Sequence, residues 1–296
     1  MAKQRLDALL AERGLFSSRT RAAASVMAGE VRVGAAERRA QKPGELVDVE
    51  EPLSIDERPA FVSRGGIKLA NALQATGLAV TGRRVLDVGA STGGFTDCLL
   101  QRGARDAIAV DVGYGTLSWS LRSDPRVTVM ERTNARALTA AMLPHVPDLA
   151  VIDVSFISLE KVLGAVLGCL APRYDALAMI KPQFEVGRAR VGKGGVVRDA
   201  DTRRDALIGV GEAALSLGAA VLGYRSSGLP GPKGNQETFV WLADPARVRG
   251  EAQRDGIVLP GEHAGAGEGL PPAAGQAGAG ARRSEALERL AREVEP

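Results

Sequence analysis

The sequence predicts a doubly wound α/β domain with a mostly parallel sheet, preceded by a small α+β domain, and three observations predict it. Arg83–Phe95 reads as a buried strand, a glycine-rich turn and the start of a helix. Further short apolar runs follow, several closed by a charged residue and separated by helical patterns, the alternation of a parallel sheet. The first 58 residues are set apart, because basic residues gather early in them, acidic residues late, and Pro59 follows the charge shift. The expected organisation is a small domain over 1–58, a short connector over 59–62, an α/β domain over 63–245 and a tail over 246–296.

Composition agrees with two globular units. A chain of 296 residues that is 45% hydrophobic and 25% charged has enough apolar material for a real core. The net charge of +3 permits an anionic partner without requiring one. Cys98 and Cys169 form neither a disulfide framework nor a metal spacing; both lie in apolar helical patterns and read as buried thiols in a reducing cytosol. No signal peptide is visible behind Met1-Ala2-Lys3, and the apolar run near Val162–Ala171 falls well short of the roughly 20 residues that span a bilayer. A soluble, cytoplasmic protein with no metal is expected.

In the first domain, Leu6, Leu9 and Leu10 share one helical face that ends near Gly14. Ser17-Ser18 offers an N-cap to a second helix over Arg19–Ala28, closed by Gly29. Val31-Arg32-Val33 and Leu46–Val49 read as short strands. The early basic residues imply one positive face, the footprint of phosphate-backbone binding. Arg5-Leu6-Asp7, Gly14-Leu15, Ser18-Arg19, Ala22, Gly29 and Val31-Arg32-Val33 resemble the S4 domain, a small RNA-binding fold, over most of residues 3–50. Arg5, Arg19 and Arg21 are the expected phosphate contacts, since a guanidinium suits bidentate phosphate recognition.

In the second domain the turn itself narrows the ligand. A dinucleotide loop needs glycine where this chain has Ser91, and a P-loop needs a lysine that does not follow Gly94. The run Asp87, Gly89, Ala90, Ser91, Thr92, Gly93, Gly94, Phe95 instead resembles the first motif of S-adenosylmethionine-dependent methyltransferases, whose loop wraps a cofactor without phosphates. An ordinary tight strand-to-helix turn is the plain alternative. A helix over Phe95–Gln101 then leads to a strand over Ala107–Val110 that ends at Asp111, a position suited to ribose hydroxyls. Val127–Met130 is the third strand, Leu149–Ile152 the fourth, ending at Asp153, and Leu177–Ile180 the fifth, ending at Lys181. Asp201–Leu217 is helical, and Ala219–Tyr224 and Thr238–Leu242 complete the sheet.

Ligands of open α/β sheets sit beyond the carboxyl ends of the strands, so Asp87, Asp111, Asp153 and Lys181 belong near one crevice. A structural ion pair between Asp153 and Lys181 is one reading; proton management for methylation of an oxygen is the other. Lys68 precedes the sheet and Glu237 opens its last strand, so either can join this pair.

Lys68, Asp153, Lys181 and Glu237 have the order and setting of the Lys-Asp-Lys-Glu tetrad of FtsJ-type 2′-O-ribose methyltransferases. The chain resembles one branch more closely, the TlyA family, over about residues 3–243. Ser63–Gly66, Gly89–Phe95, Asp111–Gly115, Glu131–Arg136, Asp153–Leu159, Lys181–Glu185 and Leu229-Pro-Gly-Pro carry that likeness. The resemblance implies a Rossmann-like methyltransferase sheet that uses S-adenosyl-L-methionine and methylates the ribose of cytidine in 16S and/or 23S rRNA. Its partners would then be 30S and/or 50S ribosomal subunits, with neither a membrane nor an obligate protein partner. Lys181 would assist deprotonation of the 2′-hydroxyl, Lys68 and Asp153 would hold its charge and geometry, and Glu237 would complete the network. Asp111 would take the cofactor ribose. Asn134 sits where many relatives place an acid near the adenine.

Phe156 is positioned to stack on a splayed nucleotide, with a core phenylalanine as the competing reading. Arg132, Arg136 and Arg188 flank the crevice as candidate RNA contacts, with solvated surface as the alternative. The family name also carries a haemolysin label, so a membrane-active protein stands as an alternative, beside a non-catalytic S4-type assembly factor. Base N-methylation expects an Asn/Asp-Pro-Pro-aromatic run where this chain has Asp153-Val154-Ser155-Phe156, and cytosine C-methylation expects a cysteine at the crevice. The tail from about 261 to 280 is rich in Gly, Ala and Pro and is expected to be disordered, with a short amphipathic helix carrying Leu287 and Leu290 beyond it.

Overall fold

The computed structural model describes residues 2–56, 59–248, 257–260 and 285–295. The chain divides into two compact units, Met1–Ala60 and Phe61–Pro296. Phe61 and Val62, expected in the connector, belong to the second unit. The Val62 N–H donates to Asp97 at 2.8 Å, and the guanidinium of Arg102 lies over the Phe61 ring at 5.8 Å.

The first unit runs β1 (Lys3–Arg5), α1 (Leu6–Glu12), α2 (Arg19–Ala28), β2 (Val31–Val33), β3 (Arg38–Arg39), β4 (Leu46–Asp48) and β5 (Leu53–Ile55). Ser18 caps α2 by accepting from the Arg21 N–H at 3.3 Å, and Gly29 ends it in the left-handed conformation, as the sequence implied. Two small antiparallel sheets, β1–β4 and β3–β2–β5, enclose a core of Leu6, Leu9, Leu10, Ala22, Val26, Val31, Val33 and Val47. Strands β1, β3 and β5, only two or three residues long, escaped the sequence reading because they show no periodicity.

The second unit runs α3 (Arg64–Thr76), β6 (Arg84–Val88), α4 (Gly94–Gln101), β7 (Asp106–Val110), α5 (Trp119–Arg122), β8 (Val127–Met130), β9 (Leu149–Ile152), α6 (Glu160–Leu167), β10 (Asp175–Ile180), α7 (Pro182–Glu185), α8 (Ala200–Ser216), β11 (Ala220–Ser226), β12 (Thr238–Ala243) and α9 (Pro245–Val248). A last helix, α10, spans 285–292. The sheet order is β11-β12-β10-β9-β6-β7-β8, with β12 antiparallel to both neighbours and the other pairings parallel. The inner strands β9 and β10 are buried along their whole length, which explains their unbroken apolar runs. Leu86 and Val88 face one core with α6 and α8, whereas Val85 faces the other with α3 and α4, the period-two alternation of a strand covered on both faces.

The tail departs from expectation. Leu287, Leu290 and Ala291 of α10 are fully or almost fully buried in the core beside α8, so this part of 246–296 is an integral piece of the fold. Val258 also pairs with Val221 at the sheet edge. The expected disorder over 261–280 lies outside the described residues. Cys98 and Cys169 are free and buried, but Cys169 sits in the turn after α6 and not in a helix.

Candidate active site

Register brings the site together. Val88 pairs with Val110 on one side and Ile152 on the other, so Gly89, Asp111 and Asp153 leave the sheet at one level. The strand order also reverses at β6, whose flanks lead to β7 and β8 in one direction and to β9 and β10 in the other. That reversal is where an open α/β sheet forms its ligand crevice. Ile180 pairs with Thr238 in the antiparallel β10–β12 ladder, so Lys181 and Glu237 emerge side by side although they are far apart in sequence.

The loop after β6 needs its first glycine. Gly89 has φ +87°, and a Cβ there would come closer than 3.0 Å to the Asp153 carbonyl oxygen. Ser91 also adopts a left-handed conformation, at φ +49°. It is held there by its N–H donating to Asp111 Oδ2 at 2.7 Å, while Gly113 N–H donates to Asp111 Oδ1 at 2.7 Å. Asp111 therefore orders the loop, and its carboxylate keeps unused acceptor capacity for hydroxyl groups.

Asp87 and Gly93 take other roles than the ligand contact expected of them. Asp87 is fully buried and accepts from Thr96 Oγ1 at 2.6 Å, tying β6 to α4. Burial pushes its pKa up to about 7. Gly93 lies behind the loop, where any Cβ would strike Leu117 and Leu121. Neither residue lines the crevice.

The crevice has two hollows that share the wall formed by Gly89, Ser91 and Asp153. One, of ≈ 450 Å³, is lined by Asp111, Asn134, Arg136, Phe156, Ile157 and Val162. Carboxylate, amide and aliphatic walls together suit a nucleoside. Asn134 Oδ1 accepts from the Arg136 N–H at 3.0 Å, which leaves the amide NH₂ to donate. The other hollow, of ≈ 430 Å³, is lined by Ala90, Thr92, Gly94, Phe95, Lys68 and Pro230, among others. Both volumes lie in the roughly 300–1,000 Å³ range of small-molecule sites.

Lys68, Asp153, Lys181 and Glu237 form two ion pairs. Lys68, from the second turn of α3, pairs with Glu237; their side chains are 10% and 2% exposed. Lys181 Nζ lies 2.6 Å from Asp153 Oδ1 and donates to Ser155 Oγ at 2.7 Å. Ser155 was missed in the sequence because a serine two positions past a strand carries no signal of its own. The Asp153–Lys181 ion pair offered as one reading is present, and it sits at the mouth of a crevice rather than in the core. Cys98 is buried against α4, where burial pushes its thiol up to about 12, so it is no nucleophile for base methylation.

The FtsJ-like methyltransferase model matches residues 61–244, and the S4 domain model matches residues 4–53. A Mycobacterium tuberculosis protein, "16S/23S rRNA (cytidine-2'-O)-methyltransferase TlyA", is 50% identical over 242 residues, 81% of this chain and 90% of that one. The chain belongs to the TlyA family of FtsJ-like methyltransferases. YqxC of Bacillus subtilis is a further relative, 45% identical over 88% of this chain and 91% of its own. A solved structure from Streptococcus thermophilus that carries a hemolysin designation is 41% identical, with a TM-score of 0.63 over 82% of this chain and 89% of that one. Family membership accounts for the S4 unit and the methyltransferase sheet alike, and the haemolysin label recurs among relatives whose shared part is that sheet.

The remaining TlyA-family expectations concern RNA. Phe156 is 91% exposed with φ +65°, which excludes the core reading. Its ring lies 5.3 Å from that of Phe184, and an exposed aromatic in a strained conformation costs free energy unless it is used. Arg132, Arg136 and Arg188 are exposed, Arg132 with its guanidinium 4.3 Å above the Tyr114 ring. Within the S4 unit, buried Asp7 gathers Arg5 at 2.8 Å and Arg19 at 3.4 Å, leaving both half-exposed on one patch. Those arginines hold the Asp7 carboxyl below its ordinary range, through the Arg5 hydrogen bond first. Arg21 is exposed elsewhere, beside Ser17 at 3.5 Å.

Proposed function

We propose that this protein transfers a methyl group from S-adenosyl-L-methionine to the 2′-hydroxyl of a cytidine in rRNA, 16S and/or 23S, presented by ribosomal subunits in the cytoplasm. The observation that carries the reading is the sharing of Asp153 between the two hollows, one suited to a nucleoside and the other lined by Lys68. The donor set fits the cofactor: acceptors at Asp111, a donor at Asn134, aliphatic walls at Ile157 and Val162, and a loop without a phosphate-binding lysine. When bound, the cofactor supplies an electrophilic methyl group.

The protein supplies position and proton handling. A hydroxyl becomes a competent nucleophile only if its proton leaves as the new bond forms, and a positioned side chain typically contributes about 10²–10⁴-fold to such a step. Lys181 is placed for that task, its ammonium nitrogen fixed by Asp153 and Ser155 at 2.6 and 2.7 Å. Lys68 and Glu237 hold charge and shape on the opposite wall, where the buried pair sets the distance the ribose must fit. Phe156 receives the splayed base, since sequence-tolerant stacking on an exposed aromatic contributes about 1–3 kcal/mol per base. Arg5 and Arg19 of the S4 unit contact phosphates.

No helix among the described residues is long and apolar enough to cross a membrane. A non-catalytic RNA-binding factor would leave the paired lysines without a role. The test is methyl transfer from tritiated S-adenosylmethionine to unmethylated 30S, 50S and 70S particles, with nuclease digestion and mass spectrometry of the nucleosides. Ribose-methylated cytidine is expected, reduced by about 10²-fold or more in Lys181→Ala. A base-methylated product, or undiminished activity in that variant, would refute the assignment.

A further inference from the structure

The strand-opening triplet Asn235-Gln236-Glu237 is held at three successive residues by three different parts of the fold. Asn235, 2% exposed, accepts from the Val197 N–H at 2.9 Å and donates to the Gly195 carbonyl at 2.8 Å. Glu237 pairs with Lys68, and its carbonyl accepts from the Ser227 N–H at 3.0 Å. Between them, the Gln236 amide, turned so that its nitrogen faces acceptors, lies 2.7 and 3.0 Å from the two carboxylate oxygens of Glu295. Glu295 comes from the turn after α10, outside the residues matched by the methyltransferase family model.

Glu295 is not incidental surface. Its side chain is 5% exposed, Arg203 Nε lies 2.8 Å from Oε2, and Arg204 donates to its carbonyl oxygen at 2.9 Å. The helix before it is anchored by Leu287, Leu290 and Ala291, and α8 makes room for it. A Cβ on Gly211 would approach Leu287 Cδ2 to 2.9 Å and come closer than 3.0 Å to the Tyr224 hydroxyl. Apolar burial alone would dock this helix. A buried carboxylate costs several kcal/mol to desolvate and adds nothing to that docking unless its partners use it. Its partners are two arginines of α8 and the residue next to Glu237.

We infer that 285–295 is a working part of the catalytic unit, in which Glu295 acts through Gln236 as a positioning residue for Glu237. Glu237 must stay on Lys68 while RNA enters, and a strand start with a loose neighbour would let the carboxylate wander. Misplacement by about 1 Å can cost about 10²-fold in rate. The inference rests on the methyl-transfer reading, because Glu237 is worth positioning only if its pair with Lys68 serves that reaction.

The test uses the full chain and three variants: Glu295→Ala, Gln236→Glu, which sets two carboxylates against each other, and the exchanged pair Gln236→Glu/Glu295→Gln. Each single change should lower kcat at least about tenfold. KM for S-adenosylmethionine should move by less than about twofold, since that hollow is untouched. The exchanged pair should return kcat to within about threefold, because the carboxylate–amide bond is restored with its ends reversed. Amide hydrogen exchange over 227–238, measured without cofactor or RNA, should quicken about tenfold in each single variant and recover in the pair. Unchanged exchange and unchanged kcat in the single variants would overturn the inference. So would losses that the exchanged pair fails to restore, for then Glu295 only helps α10 to dock. If the unaltered chain methylates no subunit, the methyl-transfer reading fails instead, and the exchange data still decide whether Glu295 holds the Glu237 strand.

Discussion

Replacing Glu237 by Gln separates a catalytic from a structural reading of the Lys68–Glu237 pair. The two side chains are 10% and 2% exposed, and the change keeps the shape but removes the counter-charge. Breaking a buried pair from one side costs about 3–5 kcal/mol, because the remaining charge stays buried without compensation. A unit of this size shifts its midpoint by about 2–4 °C per kcal/mol, so thermal unfolding should drop by roughly 6–20 °C. Lys68→Met alone should cost a similar amount. The double variant Lys68→Met/Glu237→Gln buries no unpaired charge and should recover most of that loss, as buried pairs exchanged for neutral groups are often neutral or better. Methyl transfer should behave differently: a reduction of about 10²-fold or more is expected in all three variants, the double included. Differential scanning calorimetry and single-turnover transfer from tritiated S-adenosylmethionine read the two quantities separately. A double variant that is both stable and active would refute the catalytic reading and leave the pair a structural clamp.

Three further outcomes follow from the geometry. Asp87, raised from 3.8 to about 7 by burial against an opposing Thr96 hydrogen bond, keeps its proton in the folded chain after the unfolded chain has released it. Its contribution is fully present below about pH 4 and is lost as pH rises to about 7, up to about 4 kcal/mol, so Asp87→Asn should flatten the fall in melting temperature between pH 5 and 8; parallel curves for the two proteins would show that Asp87 ionises normally. In Gly89→Ala, the new Cβ meets the Asp153 carbonyl at a φ that disfavours side chains, and calorimetric titration should find S-adenosylmethionine affinity at least about tenfold weaker. Wild-type affinity in that variant would mean that the loop reshapes freely. Phe156→Ala removes a side chain that is 91% exposed, so the melting temperature should hold within about 0.5 kcal/mol while KM for ribosomal substrate rises about tenfold; an unchanged KM would remove Phe156 from RNA contact.

Asp87 and Phe156 show where local reading stops. Both were singled out because charged or aromatic residues follow or interrupt apolar runs. An acid inside an apolar strand is as consistent with a support beneath the loop as with a ligand contact, and the fold chose support through Thr96. For Phe156 the fold chose exposure, 5.3 Å from Phe184, where the sequence was equally compatible with the core. Asn134 lies where expected, yet half of its hydrogen-bonding capacity goes to capping the turn that holds Arg136.

The sequence by itself determined the elements and their ends. Apolar runs of strand length, the caps at Ser18 and Gly29, and the charges closing β7, β9 and β10 are local properties, carried by neighbouring residues. They were enough for the fold class, the two domains and the members of the tetrad, the last through resemblance of motifs in order. Only the tertiary structure decided which ends meet. Lys181 faces Glu237 because β12 runs antiparallel to β10 with Ile180 opposite Thr238, and Asp153 walls both hollows because β9 pairs with β6 at the point of reversal. It also decided that α10, beyond the matched family residues, packs into the core and reaches Gln236. Register and packing between segments distant in the chain are set by the summed burial of whole faces, and no local run of residues records that sum.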